Sequence, residues 1–80
     1  MAIAYVLVNC EYGKENNVLE TLKKIDSIKE VKRTFGAYDI ILKVESSKLE
    51  KLRKEINSNI RSTERVRSIL TLMGVKHVKN

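Results

Sequence analysis

The stretch IKEVKRTFGAYDIILKVE, residues 28–45, decides the fold of this 80-residue chain. Residues 38–45 alternate between the two faces of an extended strand, with Ile40, Leu42 and Val44 on one face. Residues 28–35 form a weaker and heavily charged strand, which is typical of a sheet edge where charges block unwanted pairing. Gly36 and Ala37 lie between the two strands at a turn. The stretch therefore predicts a hairpin.

The segments on either side of this hairpin complete two units of strand, helix and strand. Residues 2–10 are nearly all apolar, which suits a central strand. From Lys14, the spacing of Val18, Leu22 and Ile25 predicts a helix. In the second unit, residues 66–75 predict the last strand, followed by a frayed tail that contains His77.

The second helix is predicted from the segment SKLE, residues 47–50, which has the pattern of a capping box. Ser47 would cap the helix, and Glu50 would reach back to it. The apolar stripe of this helix would consist of Leu49, Leu52, Ile56 and Ile60.

The order β-α-β-β-α-β predicts an α+β fold. Right-handed crossovers place both helices on one face of a four-stranded antiparallel sheet, with the first and third strands in the centre. This is the ferredoxin-like sandwich, and we expect residues 1–80 to form a single domain of this kind. Because the fold has many functions, the function has to be argued from a site.

The face of the sheet that lacks helices is predicted to be unusually apolar. Such an uncovered patch usually marks an association surface, so we expect two copies of the chain to pack their open sheet faces together. The predicted interface residues are Tyr5, Leu7, Ile41, Ile69 and Met73.

Composition argues against catalysis and against a metal or cofactor site. The chain has one cysteine and one histidine, and it contains no Gly-rich phosphate loop and no nucleophilic serine motif. Cys10 lies in an apolar run, which predicts a buried thiol. No apolar run approaches the roughly 20 residues that span a bilayer, and no signal peptide is recognisable, so we expect a cytoplasmic protein.

One interpretation of the hairpin is RNA binding. The strand order is that of the RNA-recognition motif, and Arg33, Phe35 and Gly36 match part of its basic-aromatic signature. Thr34, Ala37 and Ile40 break the pattern. The net charge of +6 would permit weak nucleic-acid contact, but four aromatic residues supply few stacking surfaces.

A second interpretation comes from four segments taken together: residues 4–22, 28–45, 49–66 and 67–73. In this order, and with G-x-Y-D before an apolar strand, the chain resembles the C-terminal effector (RAM) domain of the Lrp/AsnC transcription regulators. The resemblance implies a β-α-β-β-α-β fold, dimers that pack through their sheets, and larger assemblies that bind amino acids between dimers. A third possibility is a structural module that assembles without a ligand.

The resemblance also implies which residues form the ligand pocket. They are Thr34, Gly36, Tyr38 and Asp39 from the hairpin loop, with Ser68 and Thr71 from the last strand. Asp39 could accept hydrogen bonds from the ammonium group of an amino acid, and amides near Gly36 could bind its carboxylate. Each residue also has a structural explanation: Gly36 would allow a positive φ, and Asp39 would bond to a neighbouring amide.

The full-length regulators carry an N-terminal helix-turn-helix, for which this sequence has no counterpart before its first strand. We therefore expect a stand-alone effector domain without specific DNA binding of its own. Its expected partners are further copies of itself, an amino-acid effector and a full-length Lrp/AsnC paralogue.

Overall fold

The computed structural model describes residues 1–73, and the predictions for the tail and for His77 lie outside this part of the chain. The elements follow the order β-α-β-β-α-β, with a π-helical segment after the second helix. Their bounds are β1 Ala2–Cys10, α1 Glu15–Lys23, β2 Ile28–Arg33, β3 Ile40–Ser46, α2 Leu49–Glu55, the π-helical segment Ile56–Ile60, and β4 Val66–Met73.

The four strands form one antiparallel sheet in the order β2-β3-β1-β4. This confirms the predicted ferredoxin-like fold, with the first and third strands in the centre. Val8 lies opposite Ile40 of β3 and opposite Ile69 of β4, so the hairpin loop before β3 and the start of β4 both lie near the end of β1. That arrangement positions the candidate site.

The core lies between the sheet and the two helices. In β1, the side chains of Ala4, Val6 and Val8 are fully buried, while the residues between them are only partly buried. Leu22 of α1 and Leu52 of α2 cover this apolar face. One face of the sheet is therefore covered by helices, and the other is left open, as the alternation predicts.

The second helix changes from α to π geometry without losing contact with the core. Leu52, Ile56 and Ile60 are all buried, although residues four apart on an α-helix drift by about 40° around its axis. The wider π turn counteracts this drift because it contains more residues per turn. Ile60 is thereby kept beneath the sheet.

Two sequence predictions for this helix are wrong. The N-cap residue is Lys48, whose backbone is extended, and no side chain caps the helix, so Ser47 and Glu50 form no capping box. Leu49, assigned to the buried stripe, is 45% exposed because it lies in the first turn, ahead of the part that contacts the core.

The open face of the sheet also differs from the prediction at β4. Ile69 and Met73 pair with the buried residues Val8 and Ala4 and pack against the core, so they face the helices rather than the open side. Leu70 and Leu72 lie on the open face instead, opposite Leu7 and Tyr5. Ile41, Tyr5 and Leu7 lie on the open face as predicted.

The helices of residues 1–73 are short, and none of them is long and apolar enough to cross a membrane.

Candidate functional site

The hairpin loop between β2 and β3 is closed by hydrogen bonds of its own. The backbone N–H of Thr34 donates to the carbonyl of Asp39 at 2.9 Å, and the Thr34 hydroxyl donates to the carbonyl of Tyr38 at 2.6 Å. Gly36 has a φ of +119°, a conformation that side chains disfavour. Thr34 and Gly36 therefore shape the loop and hold Asp39 at its end.

Asp39 links this loop to the end of β1. Its backbone N–H donates to the carbonyl of Val8 at 3.0 Å, and its carboxylate Oδ2 accepts a hydrogen bond from the backbone N–H of Cys10 at 2.9 Å. Among the described residues, hydrogen bonds reach only Oδ2, and Oδ1 accepts none. The carboxylate thus has one oxygen in a structural contact and one oxygen available.

A β-bulge places a positive charge opposite the end of β1. Asn9 pairs with Ser68 but Cys10 pairs with Val66, so Arg67 is an extra residue in β4. The bulge is held at its start, where the Glu11 N–H donates to the Arg65 carbonyl at 2.8 Å and the two side chains form an ion pair at 3.2 Å. Bulges commonly redirect a side chain next to a functional site.

These features meet in an open cleft of about 440 Å³ at the end of the sheet. Its lining consists of Asn9, Cys10, Asp39, Arg67 and Ser68. Asp39 and Arg67 carry opposite charges, but within residues 1–73 neither side chain forms an ion pair. The cleft therefore presents a carboxylate and a guanidinium that are not engaged with each other.

The thiol in this cleft is not activated. The pKa of Cys10 is raised to about 11, mainly by burial and also by the negative charge of Asp39. At neutral pH the thiol keeps its proton, and a thiol is a much weaker nucleophile and metal ligand than a thiolate. Cys10 therefore acts as a wall of the cleft.

The structure brings only some of the predicted ligand residues together. Asp39 and Ser68 line the cleft, whereas Thr34, Gly36 and Tyr38 lie in the adjoining loop without lining it. Thr71 is three residues from Ser68 and therefore faces the helices, where it lines a different cleft. Thr71 and Ser68 therefore do not share one cleft in the described part of the chain.

Sequence reasoning missed Asn9 and Arg67. Asn9 had a visible signal, because it is a polar residue within the apolar run of β1. Nothing in the sequence indicated Arg67, because its place in the cleft depends on the bulge in the pairing of β1 with β4.

The aromatic residues of the hairpin do not form an RNA-stacking surface on the sheet. Phe35 lies in the loop after β2 and is 98% exposed, and Tyr38 lies in the same loop before β3 begins. Of the four aromatic residues in the chain, all of which lie in its described part, only Tyr5 lies on the open face of the sheet.

A model of the Lrp/AsnC ligand-binding domain family matches residues 3–80, which is nearly the whole chain. The chain belongs to this family. The resemblance to the Lrp/AsnC effector domain is thereby confirmed, and the family is not that of the RNA-recognition motif, which was the alternative interpretation.

Solved structures agree with this assignment. FFRP-DM1 is 32% identical, with a TM-score of 0.89, and the match covers 94% of this chain and 100% of that one. Hypothetical protein PHS023 from Pyrococcus horikoshii is 31% identical, with a TM-score of 0.87 and coverages of 96% and 93%. The comparison with curated proteins found no match.

More distant structures share the fold within longer chains. E. coli AsnC is 19% identical with a TM-score of 0.87, and the match covers 95% of this chain but 52% of AsnC. The transcriptional regulator NMB0573 from Neisseria meningitidis, solved as a complex with L-Met, is 14% identical with a TM-score of 0.82 and coverages of 99% and 53%.

Proposed function

We propose that this Lrp/AsnC domain senses an amino acid, or a similar small zwitterion, that binds in the cleft between the hairpin loop and the start of β4. The observation that supports this most is the pair of opposite charges, Asp39 and Arg67, on one open cleft. The function is regulatory binding rather than catalysis, and the protonated state of the Cys10 thiol agrees with that.

The two charges match the two ends of an amino acid. The free Oδ1 of Asp39 would accept a hydrogen bond from the ammonium group, while the guanidinium of Arg67 would bind the carboxylate with two parallel hydrogen bonds. Asn9 and Ser68 supply further donors and acceptors beside them. NMB0573, which shares the fold, was solved with L-Met, and this supports an amino acid as the class of ligand.

The open sheet face supports self-association as the second part of the proposal. Leu70 and Leu72 are 44% and 47% exposed, and they lie beside Leu7 and Tyr5 on a face that no described helix covers. A second copy that packs face to face would bury them, as expected for a continuous apolar patch. The same face would let the chain assemble with a longer Lrp/AsnC regulator.

A thermal-shift panel of the standard amino acids, with single-stranded RNA as the comparison ligand, tests this proposal. An amino acid at about 100 times its dissociation constant should stabilise the folded chain by about 2.7 kcal/mol and raise the melting temperature. Asp39→Asn and Arg67→Gln should each reduce the shift. Lys51→Gln, which also removes one charge but lies on α2 away from the cleft, should leave it unchanged.

Asp39→Asn is preferred to Asp39→Ala because the amide oxygen can still accept the Cys10 hydrogen bond. A melting temperature that responds to RNA but to no amino acid would contradict the proposal.

A further inference from the structure

The two edges of the sheet differ in how well they are protected against pairing with another strand. The β2 edge is highly charged, with Lys29, Glu30, Lys32 and Arg33 within six residues. β4 is an eight-residue edge strand with Arg67 as its only charged residue, and no strand of residues 1–73 pairs with its outer side. A long edge strand with few charges is a template for strand addition.

A basic cleft of about 270 Å³ follows the helix side of this edge. Arg53 of α2, Asn57 of the π-helical segment and Arg61, the residue that follows this segment, line the cleft at intervals of four residues. The other lining residues are Ile56, Thr71 and Met73. Neither arginine takes part in the ion pairs or side-chain hydrogen bonds found within the described part of the chain. Two guanidiniums therefore face a polar groove without an acidic partner.

The other side of the same edge is apolar. Leu70 and Leu72 lie on the open face, nearly half exposed. A strand added beside β4 would direct alternate side chains to these two environments, because successive residues of a strand point to opposite faces.

We propose that the β4 edge binds a segment of another protein as an added strand, and that this segment alternates acidic and apolar residues. Its acidic side chains would pair with Arg53 and Arg61, and its apolar side chains would lie beside Leu70 and Leu72. Backbone hydrogen bonds to β4 provide the affinity in this mode of recognition, and the alternating side chains provide the specificity.

Three segments of the protein itself could also be considered as occupants of the β4 edge: a second β4 edge, a β2 edge and the sequence after Met73. None of them would bring acidic side chains to Arg53 and Arg61. Two β4 edges paired about a twofold axis would bring the arginine clefts of both copies to the same face of one sheet, where like charges repel. A β2 edge would bring Arg33 to the helix side of the sheet, because Arg33 pairs with Ile40, which is buried beneath the helices. Arg33 would add a positive charge on the side where Arg53 and Arg61 lie. The sequence after Met73 contains Lys76 and Lys79 but no acidic side chain.

Fluorescence anisotropy with labelled peptides tests the proposal on the full 80-residue chain. The probe alternates Glu and Val, and its comparison peptide has the same composition with the Glu and Val residues in separate blocks. The alternating peptide should bind at least about tenfold more tightly, a difference of about 1.4 kcal/mol. Equal binding of the two peptides would show attraction by net charge alone and would overturn the proposal.

Peptides methylated on alternate backbone nitrogens test strand addition directly. One of the two alternate sets of N–H groups would face β4 and the other would face away, so methylation of one set should abolish binding and methylation of the other should not. Equal effects of the two methylated sets would contradict an added strand.

Charge-matched variants locate the site. Arg53→Gln/Arg61→Gln should weaken the alternating peptide by about tenfold or more. Lys51→Gln/Lys54→Gln, which removes the same charge from a different groove along α2, should change the affinity by less than about threefold. Equal losses in both double variants would overturn the assignment to the β4 edge.

Discussion

Asp39 has the structural role that the sequence offered as one of two alternatives, because its Oδ2 accepts the Cys10 N–H. The ligand role belongs to the proposed function, which uses Oδ1, an atom that accepts no hydrogen bond among the described residues. The G-x-Y-D pattern selected this residue as a candidate, and the structure places it on the cleft. Its partner could not be predicted, because Cys10 lies 29 positions away and the contact depends on the register of β1 with β3.

Cys10 should make the stability of the protein fall at alkaline pH. Its pKa is raised to about 11, above the ordinary thiol value of 9.0, so the unfolded chain loses this proton first. The stabilisation is fully present below pH 9 and is lost as the pH rises through about 11. Two pKa units correspond to up to about 3 kcal/mol.

Urea unfolding of the wild type and of Cys10→Ala at several pH values between 8 and 11 measures this effect. The difference in free energy of unfolding between the two proteins should shrink by a few kcal/mol over that range. The subtraction removes the contributions of Lys and Tyr, which titrate in the same range. A difference that does not change with pH would show that the folded thiol titrates normally.

Among the elements, α2 shows the limit of local pattern reading. The SKLE segment has the residues of a capping box, but the helix begins one residue later and Lys48 occupies the N-cap position. The pattern predicted a helix correctly but misplaced its start. The start also depends on the backbone conformation between the end of β3 and the helix, and four residues of sequence do not determine that conformation.

Substitutions at residues 47 and 48 distinguish an N-cap at Lys48 from the predicted N-cap at Ser47. Lys48→Ser should stabilise the protein by about 1 kcal/mol, because a hydroxyl would accept a hydrogen bond from an N–H group of the first turn that no side chain now satisfies. Ser47→Ala should change the stability by less than about 0.5 kcal/mol. Chemical denaturation of both variants measures this, and a loss of about 1 kcal/mol in Ser47→Ala would restore the capping box.

The strand β4 shows why the open face was only partly predictable. Its alternation grouped Ile69 with Met73 and Leu70 with Leu72, and this grouping is correct. Both groups are apolar, so the sequence could not choose which faces the core. The extra residue Arg67 inverts the alternation after Val66, as a one-residue shift does in any strand.

For the molecule as a whole, the strand order followed from the sequence because crossover handedness leaves few alternatives. The proposed association of the open faces can be measured. Leu72→Glu should reduce the mass in solution to that of the 9.2 kDa chain, because it places a charge on the open sheet face that forms the proposed interface.

Leu49→Glu is a closely matched control for this change. Leu49 and Leu72 are 45% and 47% exposed, but Leu49 lies at the start of α2, away from the sheet face. Light scattering coupled to size exclusion should give an unchanged oligomer for Leu49→Glu. A wild-type protein that is already monomeric at micromolar concentration would contradict the association.

The most direct test of the central claim is a ¹⁵N–¹H NMR titration of the labelled chain with the standard amino acids. We predict that at least one amino acid shifts the amide signals of Cys10, Asp39, Arg67 and Ser68, and that Arg67→Gln weakens this response. Unchanged spectra at millimolar concentrations of every amino acid, or shifts confined to residues outside this cleft, would contradict it.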